Sequence, residues 1–262
     1  MYLGLRGKVA LVAASSKGLG RAVAEELAAE GAHLVMCARG KATLEQTAES
    51  IRRQARVKVV DVVADVSDPK DAARVVKAAF DEFGQVDILV TNSGGPPSGP
   101  FESLTPEMWD TATRLLLKSA VELTRAVLPG MKERRWGRIL NVTSIAAKQP
   151  IEGLMLSNSL RAAVIGFART LANEVAPFNV TVNNLLPGYT RTDRVQELAR
   201  AAGGKAGDST DILAKWEKEI PMGRLGEPRE FAALAAFLAS ERASYITGSS
   251  IAVDGGWIRS LL

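Results

Sequence analysis

The chain has 262 residues, 47% of them hydrophobic and 24% charged, enough for one large buried core. Its net charge of +4 is spread along the chain rather than gathered in a stripe, which argues against nucleic-acid binding. One cysteine (Cys37) excludes an internal disulfide, and one histidine (His33) excludes a multi-histidine metal site, so no metal is expected.

In chain order, β-branched apolar runs alternate with longer amphipathic ones. A strand at 8–14 leads to helical periodicity over 18–30, then a strand at 33–38 and a helix over 43–54. A strand at 57–63, a helix over 69–83 and a strand at 86–91 follow. A long helical stretch over 106–131 precedes a strand at 137–143, a helix over 154–176 and a strand at 180–186. A helix over 228–239 and a last strand at 250–253 close the pattern. Most strands are nearly continuous apolar runs, as in sheets covered on both faces. Strand–helix–strand alternation specifies a doubly wound parallel sheet of seven strands, Rossmann-type, in a single α/β domain over 1–262.

Residues 193–220 break the rhythm with partly helical sequence carrying Gly203-Gly204 and Gly207. An insertion after a strand's C-terminal end is where a substrate lid would sit. The basic cluster Lys132-Glu133-Arg134-Arg135-Trp136-Gly137-Arg138 reads as a solvated turn, Cys37 as a buried small hydrophobe and His33 as structural. No apolar run reaches the roughly 18 residues of a membrane span, and the N-terminus enters its first strand without a cleavage-site pattern. A cytoplasmic protein with no membrane partner is expected.

The first strand opens into Ala13-Ala14-Ser15-Ser16-Lys17-Gly18-Leu19-Gly20 and then directly into a helix. A glycine-rich turn here lets backbone approach a pyrophosphate seated at the helix N-terminus. Further stretches follow at strand ends: Asp65-Val66, Asn92-Ser93-Gly94-Gly95, Asn141-Val142-Thr143-Ser144, Pro187-Gly188-Tyr189-Thr190-Arg191-Thr192, and Gly248 with Asp254-Gly255-Gly256. Together, over about residues 5–257, they resemble the short-chain dehydrogenase/reductase family, and within it the 3-oxoacyl-acyl-carrier-protein reductases.

The resemblance implies residue roles. Ala14, Ser15, Ser16, Lys17, Gly18, Leu19 and Gly20 would cradle the pyrophosphate, with Ala14 standing where the family has its first glycine and Ala13 where it has threonine. Asp65 and Val66 would meet the adenine, Asn92 and Gly94 would line the cofactor cleft, and Pro187, Gly188 and Thr192 would hold the nicotinamide carboxamide. The second strand ends in Ala38-Arg39 rather than in a carboxylate, and Lys17 lies in the loop. Two cations there favour a 2′-phosphate, hence NADP(H) over NAD(H).

The chemical half of the resemblance is incomplete. Ser144 matches the serine that polarises a carbonyl. The proton-donating tyrosine is replaced by Ser157, its lysine by Arg161, and the relay asparagine by Leu116. No shift of register restores the pair, because none of Tyr2, Tyr189 and Tyr245 is followed by lysine four residues on. A serine hydroxyl is far less acidic than a phenol, and arginine does not relay protons at neutral pH. Tyr189, beside the nicotinamide in the family, is the remaining candidate donor.

Three readings therefore stand. The first is an NADP(H)-dependent reductase of a carbonyl compound, a small molecule or acyl thioester, with an altered catalytic apparatus. The second is a catalytically silent dinucleotide-binding sensor or assembly subunit, and the third a lyase or dehydratase reusing the pocket. Expected pocket walls are Ile145, Leu154, Met155, Tyr189, Trp216 and Met222. Small and apolar residues on the helices over 106–131 and 154–176 (Ala112, Leu115, Ala162, Ala163, Phe167) exceed what one sheet can cover, so a homo-oligomer, a tetramer with two-fold axes, is expected.

Overall fold

A computed structural model of the chain describes residues 2–203 and 209–261; Gly204 and Gly207 of the inserted segment lie outside the described residues. The strands β1 (Val9–Val12), β2 (His33–Ala38), β3 (Val59–Val63), β4 (Ile88–Thr91), β5 (Gly137–Val142), β6 (Val180–Pro187) and β7 (Ser250–Val253) form one sheet in the order β3-β2-β1-β4-β5-β6-β7. Every pairing is parallel. The strand order reverses between β1 and β4, which opens a crevice at the C-terminal ends of these strands.

Burial on both faces explains the continuous apolar runs. One face is covered by α1 (Gly18–Ala29), α2 (Lys41–Gln54) and α9 (Pro228–Ala239), whose Leu27, Leu44 and Phe231 pack on Leu34, Met36 and Ile88. On the other, α3 (Pro69–Phe83), α5 (Ser119–Glu133) and α6 (Met155–Val175) bring Val75, Leu123 and Ala172 against Leu11, Leu89 and Val182. Local signals set the helix ends. In α3, Asp68 accepts from the Lys70 N–H, Pro69 occupies the first turn and Gly84 closes the helix at φ +71°.

The long helix expected over 106–131 is interrupted. It runs as α4 (Pro106–Thr113), a π-helical turn at Arg114–Lys118 and α5, and the interruption turns Leu116 inward. Leu116 packs with Ala112, Leu156 and Leu160, so Ala112 faces this subunit's own interior, not outward as expected. The first, third and fourth strands begin one or two residues later than the hydrophobic pattern suggests. The first also ends earlier, at Val12, before the chain turns through Ala14 at φ +49°. A side-chain ladder also crosses the sheet, with Thr91 donating to Asn141 (2.7 Å), Asn141 to Asn184 (3.2 Å) and Asn184 to Ser250 (3.0 Å). It satisfies buried polar groups where the strands leave the core.

The structural readings of single residues hold. His33 stacks on Phe83 and accepts from the Lys58 N–H. Cys37 is buried, and burial pushes its thiol up to about 12. The basic cluster is only in part the solvated turn expected: Lys132 lies over Phe178, but Arg138 is buried in β5, stacked over Trp136 and donating to the carbonyls of Ser240 and Asn179. The inserted segment carries α7 (Asp193–Gly203) and α8 (Ser209–Glu219), directly after β6. No described helix is long and apolar enough to cross a membrane.

Candidate active site

A cavity of about 600 Å³ occupies the crevice. At one end it meets the loop after β1, where Ala14, Ser16, Lys17, Gly18 and Leu19 line it. Gly18 is left-handed at φ +59°, and a Cβ on Gly20 would collide with the Ala14 carbonyl and with Asn92. Gly20 is thus the buried floor of the turn, not part of the lining. Asn92 Nδ2 donates to that same carbonyl at 3.4 Å, tying the turn to the end of β4. Ala14 holds a left-handed conformation that costs a non-glycine residue about 1–2 kcal/mol. Ser15, expected among the phosphate contacts, is instead buried with its N–H on the Cys37 carbonyl.

The adenosine end is framed by Arg39, Asp65 and Val66. Arg39 is largely exposed and reaches Asp65 only at 4.0 Å, which leaves its guanidinium available. Lys17 is more committed. Its Nζ donates to Asp193 in the first turn of α7 at 2.8 Å, and this bond raises the lysine's pKa and lowers that of Asp193. The two cations expected at a 2′-phosphate are therefore unequal, and Arg39 is the free one. The turn, the helix N-terminus and Arg39 together would suit a dinucleotide with a 2′-phosphate, Ala13 and Ala14 being the departures from the family's turn.

Ser144, Ser157, Arg161 and Tyr189 also line the cavity, as do Asn92, Gly94, Pro187, Gly188 and Thr192. Ser144 closes β5 and accepts the Ala146 N–H at 3.1 Å, leaving its own O–H free to donate. Ser157 and Arg161 lie one turn apart on α6. Arg161 Nε donates to Ser157 Oγ at 3.2 Å, while Nη1 donates to the carbonyls of Val142 (3.0 Å) and Thr143 (2.8 Å). The guanidinium is thus held in one orientation, and Nη2 makes no hydrogen bond among the described residues. Burial, helped by the nearby Arg194 charge, pulls Arg161 down to about 10, so it remains a cation at neutral pH.

Leu116 supplies no polar atom beside Arg161. The small recess that both residues line, about 10 Å³, is close to the room one water needs. Tyr189 is nearly buried, stacked on Trp216 at 4.5 Å and met edge-on by Trp257. Burial, with Glu219 nearby, pushes its phenol up to about 12, a poorer acid than a free tyrosine. Of the expected walls, Ile145, Leu154 and Tyr189 face the cavity. Trp216 backs Tyr189 instead, and Met155 and Met222 are exposed on the surface. Sequence reasoning missed Arg194 and Glu197 on α7, which reach the cavity although nothing in the local sequence marks them.

A doubly wound parallel sheet whose glycine turn opens into a helix N-terminus, with a polar cluster at the strand ends, has the architecture of dinucleotide-binding folds. The family model described as enoyl-(acyl carrier protein) reductase matches residues 13–258. The 3-oxoacyl-(acyl-carrier-protein) reductase of Vibrio cholerae is 39% identical over 254 residues, 97% of this chain and 98% of that protein. The L-sorbose reductase of Gluconobacter frateurii, solved with NADPH and L-sorbose, superposes at a TM-score of 0.95 with 37% identity and full coverage of both chains. An actinorhodin polyketide ketoreductase solved with NADPH gives 0.93 at 29% identity, covering 97% of this chain and 98% of that one. The chain belongs to the short-chain dehydrogenase/reductase family of oxidoreductases.

Proposed function

We propose that this protein is an NADPH-dependent carbonyl reductase in which a fixed cation and two hydroxyls replace the family's tyrosine–lysine proton relay. The observation that carries the reading is the clamped Arg161, held by two strand-end carbonyls and by Ser157 at the edge of the cavity. Bound NADPH would supply the hydride. Arg39 would hold its 2′-phosphate, and the N-terminus of α1 its pyrophosphate.

Ser144 would orient the carbonyl by donating its free O–H. Arg161 would stabilise the oxyanion as charge develops, a role needing a preorganised donor and no titrating group. Ser157 is a positioning residue: as the acceptor of the Arg161 Nε–H it sets the guanidinium plane. Neither Ser157 nor Arg161 can deliver the final proton at neutral pH, and Tyr189 at about 12 is a reluctant donor, so water would deliver it. Losing positioned acid catalysis costs roughly 10²–10⁴-fold, so turnover is expected to be slow beside that of relatives. The relatives' names make a 3-oxoacyl thioester the natural first substrate to try.

The test titrates the protein with NADPH, followed by nicotinamide fluorescence, and then adds acetoacetyl thioester. Binding with slow turnover is expected. The variant Ser157→Tyr/Arg161→Lys/Leu116→Asn should be at least about tenfold faster, a modest share of what acid catalysis can contribute. Tight NADPH binding without turnover in either protein would sink the reductase reading in favour of a silent dinucleotide-binding subunit. Failure to bind NADPH would leave the pocket to other chemistry.

A further inference from the structure

The loops after β1 and β4 flank the crevice, and residues 192–194 bridge them. On the β1 side, Thr192 packs against Gly18, where an added Cβ would lie 3.5 Å from the threonine methyl. Next to it, Asp193 accepts from Lys17 Nζ at 2.8 Å. On the β4 side, Arg194 Nη2 donates to the Pro96 carbonyl at 2.9 Å, and the guanidinium lies so close over Gly95 that no Cβ would fit there.

The bridge is also anchored from behind. Arg191 pairs with Glu217 of α8 at 3.2 Å and with Glu227 at 3.0 Å, and its N–H donates to the Gly226 carbonyl at 2.9 Å. Val195 is buried in the cluster that holds Tyr189 and Leu225. Asp193 therefore sits between fixed neighbours, aimed at Lys17 before any ligand arrives. An exposed ion pair loses much of its Coulomb gain to the ordering of two side chains, and is worth at most about fivefold in an equilibrium. The fold already orders the aspartate's backbone here, which puts this pair near the top of that range.

Lys17 is the one lysine lining the cavity among the described residues, and it stands in the turn expected to hold a phosphate. A phosphate reaching Nζ meets the Asp193 carboxylate already seated there. Two anions in contact repel, so either the pair opens or the phosphate binds at a distance.

We propose that Asp193 is a built-in competitor for the cofactor's phosphate: it holds Lys17 and must release it for the dinucleotide to bind, which keeps the affinity below what the same pocket would give without it. This rests on the dinucleotide-binding part of the reductase reading and is independent of turnover.

The test is fluorescence titration with NADPH and with NADH of the parent, Asp193→Asn, Lys17→Ala and the double variant. Asp193→Asn should tighten NADPH binding about threefold to fivefold, the worth of the pair it removes. A gain in affinity cannot come from misfolding. Lys17→Ala alone should weaken NADPH binding by about twofold or less, because the lysine is already occupied. In the Lys17→Ala background, the gain from Asp193→Asn should vanish, since nothing is left to compete for. A gain for both cofactors puts the pyrophosphate on Lys17, a gain for NADPH alone the 2′-phosphate, and either upholds the proposal.

A gain below twofold, or a loss, in Asp193→Asn overturns it. So does a gain that survives Lys17→Ala, because the carboxylate would then act by bare repulsion and not through the lysine. If neither parent nor Asp193→Asn binds either dinucleotide, the cofactor reading itself fails and the proposal falls with it. Binding by the parent without the gain removes the competitor alone.

Discussion

Arg161 stands where the resemblance implies a lysine, and in the proposed mechanism it does different work. A lysine there lowers a phenol's pKa, whereas Arg161 has no phenol to act on and is tied to Val142, Thr143 and Ser157. Its contribution to the chemistry is therefore charge and direction. Arg161→Met should lower kcat/KM roughly 10²-fold, in the range of a lost oxyanion donor, with NADPH binding retained as the check on folding. Ser157→Ala should cost only a few-fold, because it removes an aligner. If instead Ser157→Ala abolishes turnover while Arg161→Met is mild, the roles are reversed. The sign of the pH dependence follows from the cation. Arg161 is charged below its pKa of about 10, so stabilisation is present through neutral pH and lost as pH rises through that value. The reduction rate should be nearly flat from about pH 6 to 9 and fall above 10. A rate that falls steeply between about pH 7 and 9 would report a different titrating donor.

At the scale of elements, the turn from β1 to α1 carries both the match to the family and its departure. Gly20 has no freedom, since a Cβ would meet the Ala14 carbonyl well inside contact distance. Gly20→Ala should push the turn open and weaken NADPH binding more than about tenfold, measured by fluorescence titration. Ala14→Gly works in the opposite direction. It removes a left-handed strain of about 1–2 kcal/mol but adds roughly 0.5–1 kcal/mol of unfolded-chain entropy, so Tm should be unchanged or slightly higher. A clear drop in Tm would mean that the alanine methyl packs favourably in the turn. The bond from Lys17 to Asp193 joins this turn to α7 across 176 residues of sequence. It competes with any phosphate for Lys17.

Whole-molecule properties include cofactor preference and assembly. Lys17→Ala/Arg39→Ala should weaken NADPH binding more than NADH binding, with most of the effect from Arg39, whose only ion pair among the described residues is long. Equal losses for both cofactors would end the NADP(H) assignment. Light scattering should show a tetramer at micromolar concentration. Ala162 and Ala163 are exposed on α6, the edge strand β7 is only half covered along its length, and Tyr245 is fully exposed just before it. Partner subunits would cover these surfaces. A monomer would refute the assembly.

The sequence alone determined the architecture and the cofactor crevice. Continuous apolar runs and runs of period 3.6 are local, and a parallel sheet buried on both faces leaves little freedom in how they assemble. The glycine turn was legible for the same reason, since Gly18 and Gly20 answer to backbone geometry a few residues away. The departures that the resemblance implies at Leu116, Ser157 and Arg161 came from counting positions along the sequence, which needs no coordinates. Only the tertiary structure decided what surrounds those side chains. Arg161 gains its orientation from the carbonyls that end β5, and Tyr189 loses acidity between Trp216 and Trp257. Leu116 turns inward within a π-helical turn that hydrophobic periodicity reads as continuous helix, and it packs there on Ala112. Arg194 enters the site by reaching from α7 to Pro96, 98 residues earlier in the chain. Such contacts depend on which distant backbone happens to pass nearby, and no local pattern of residue types encodes that.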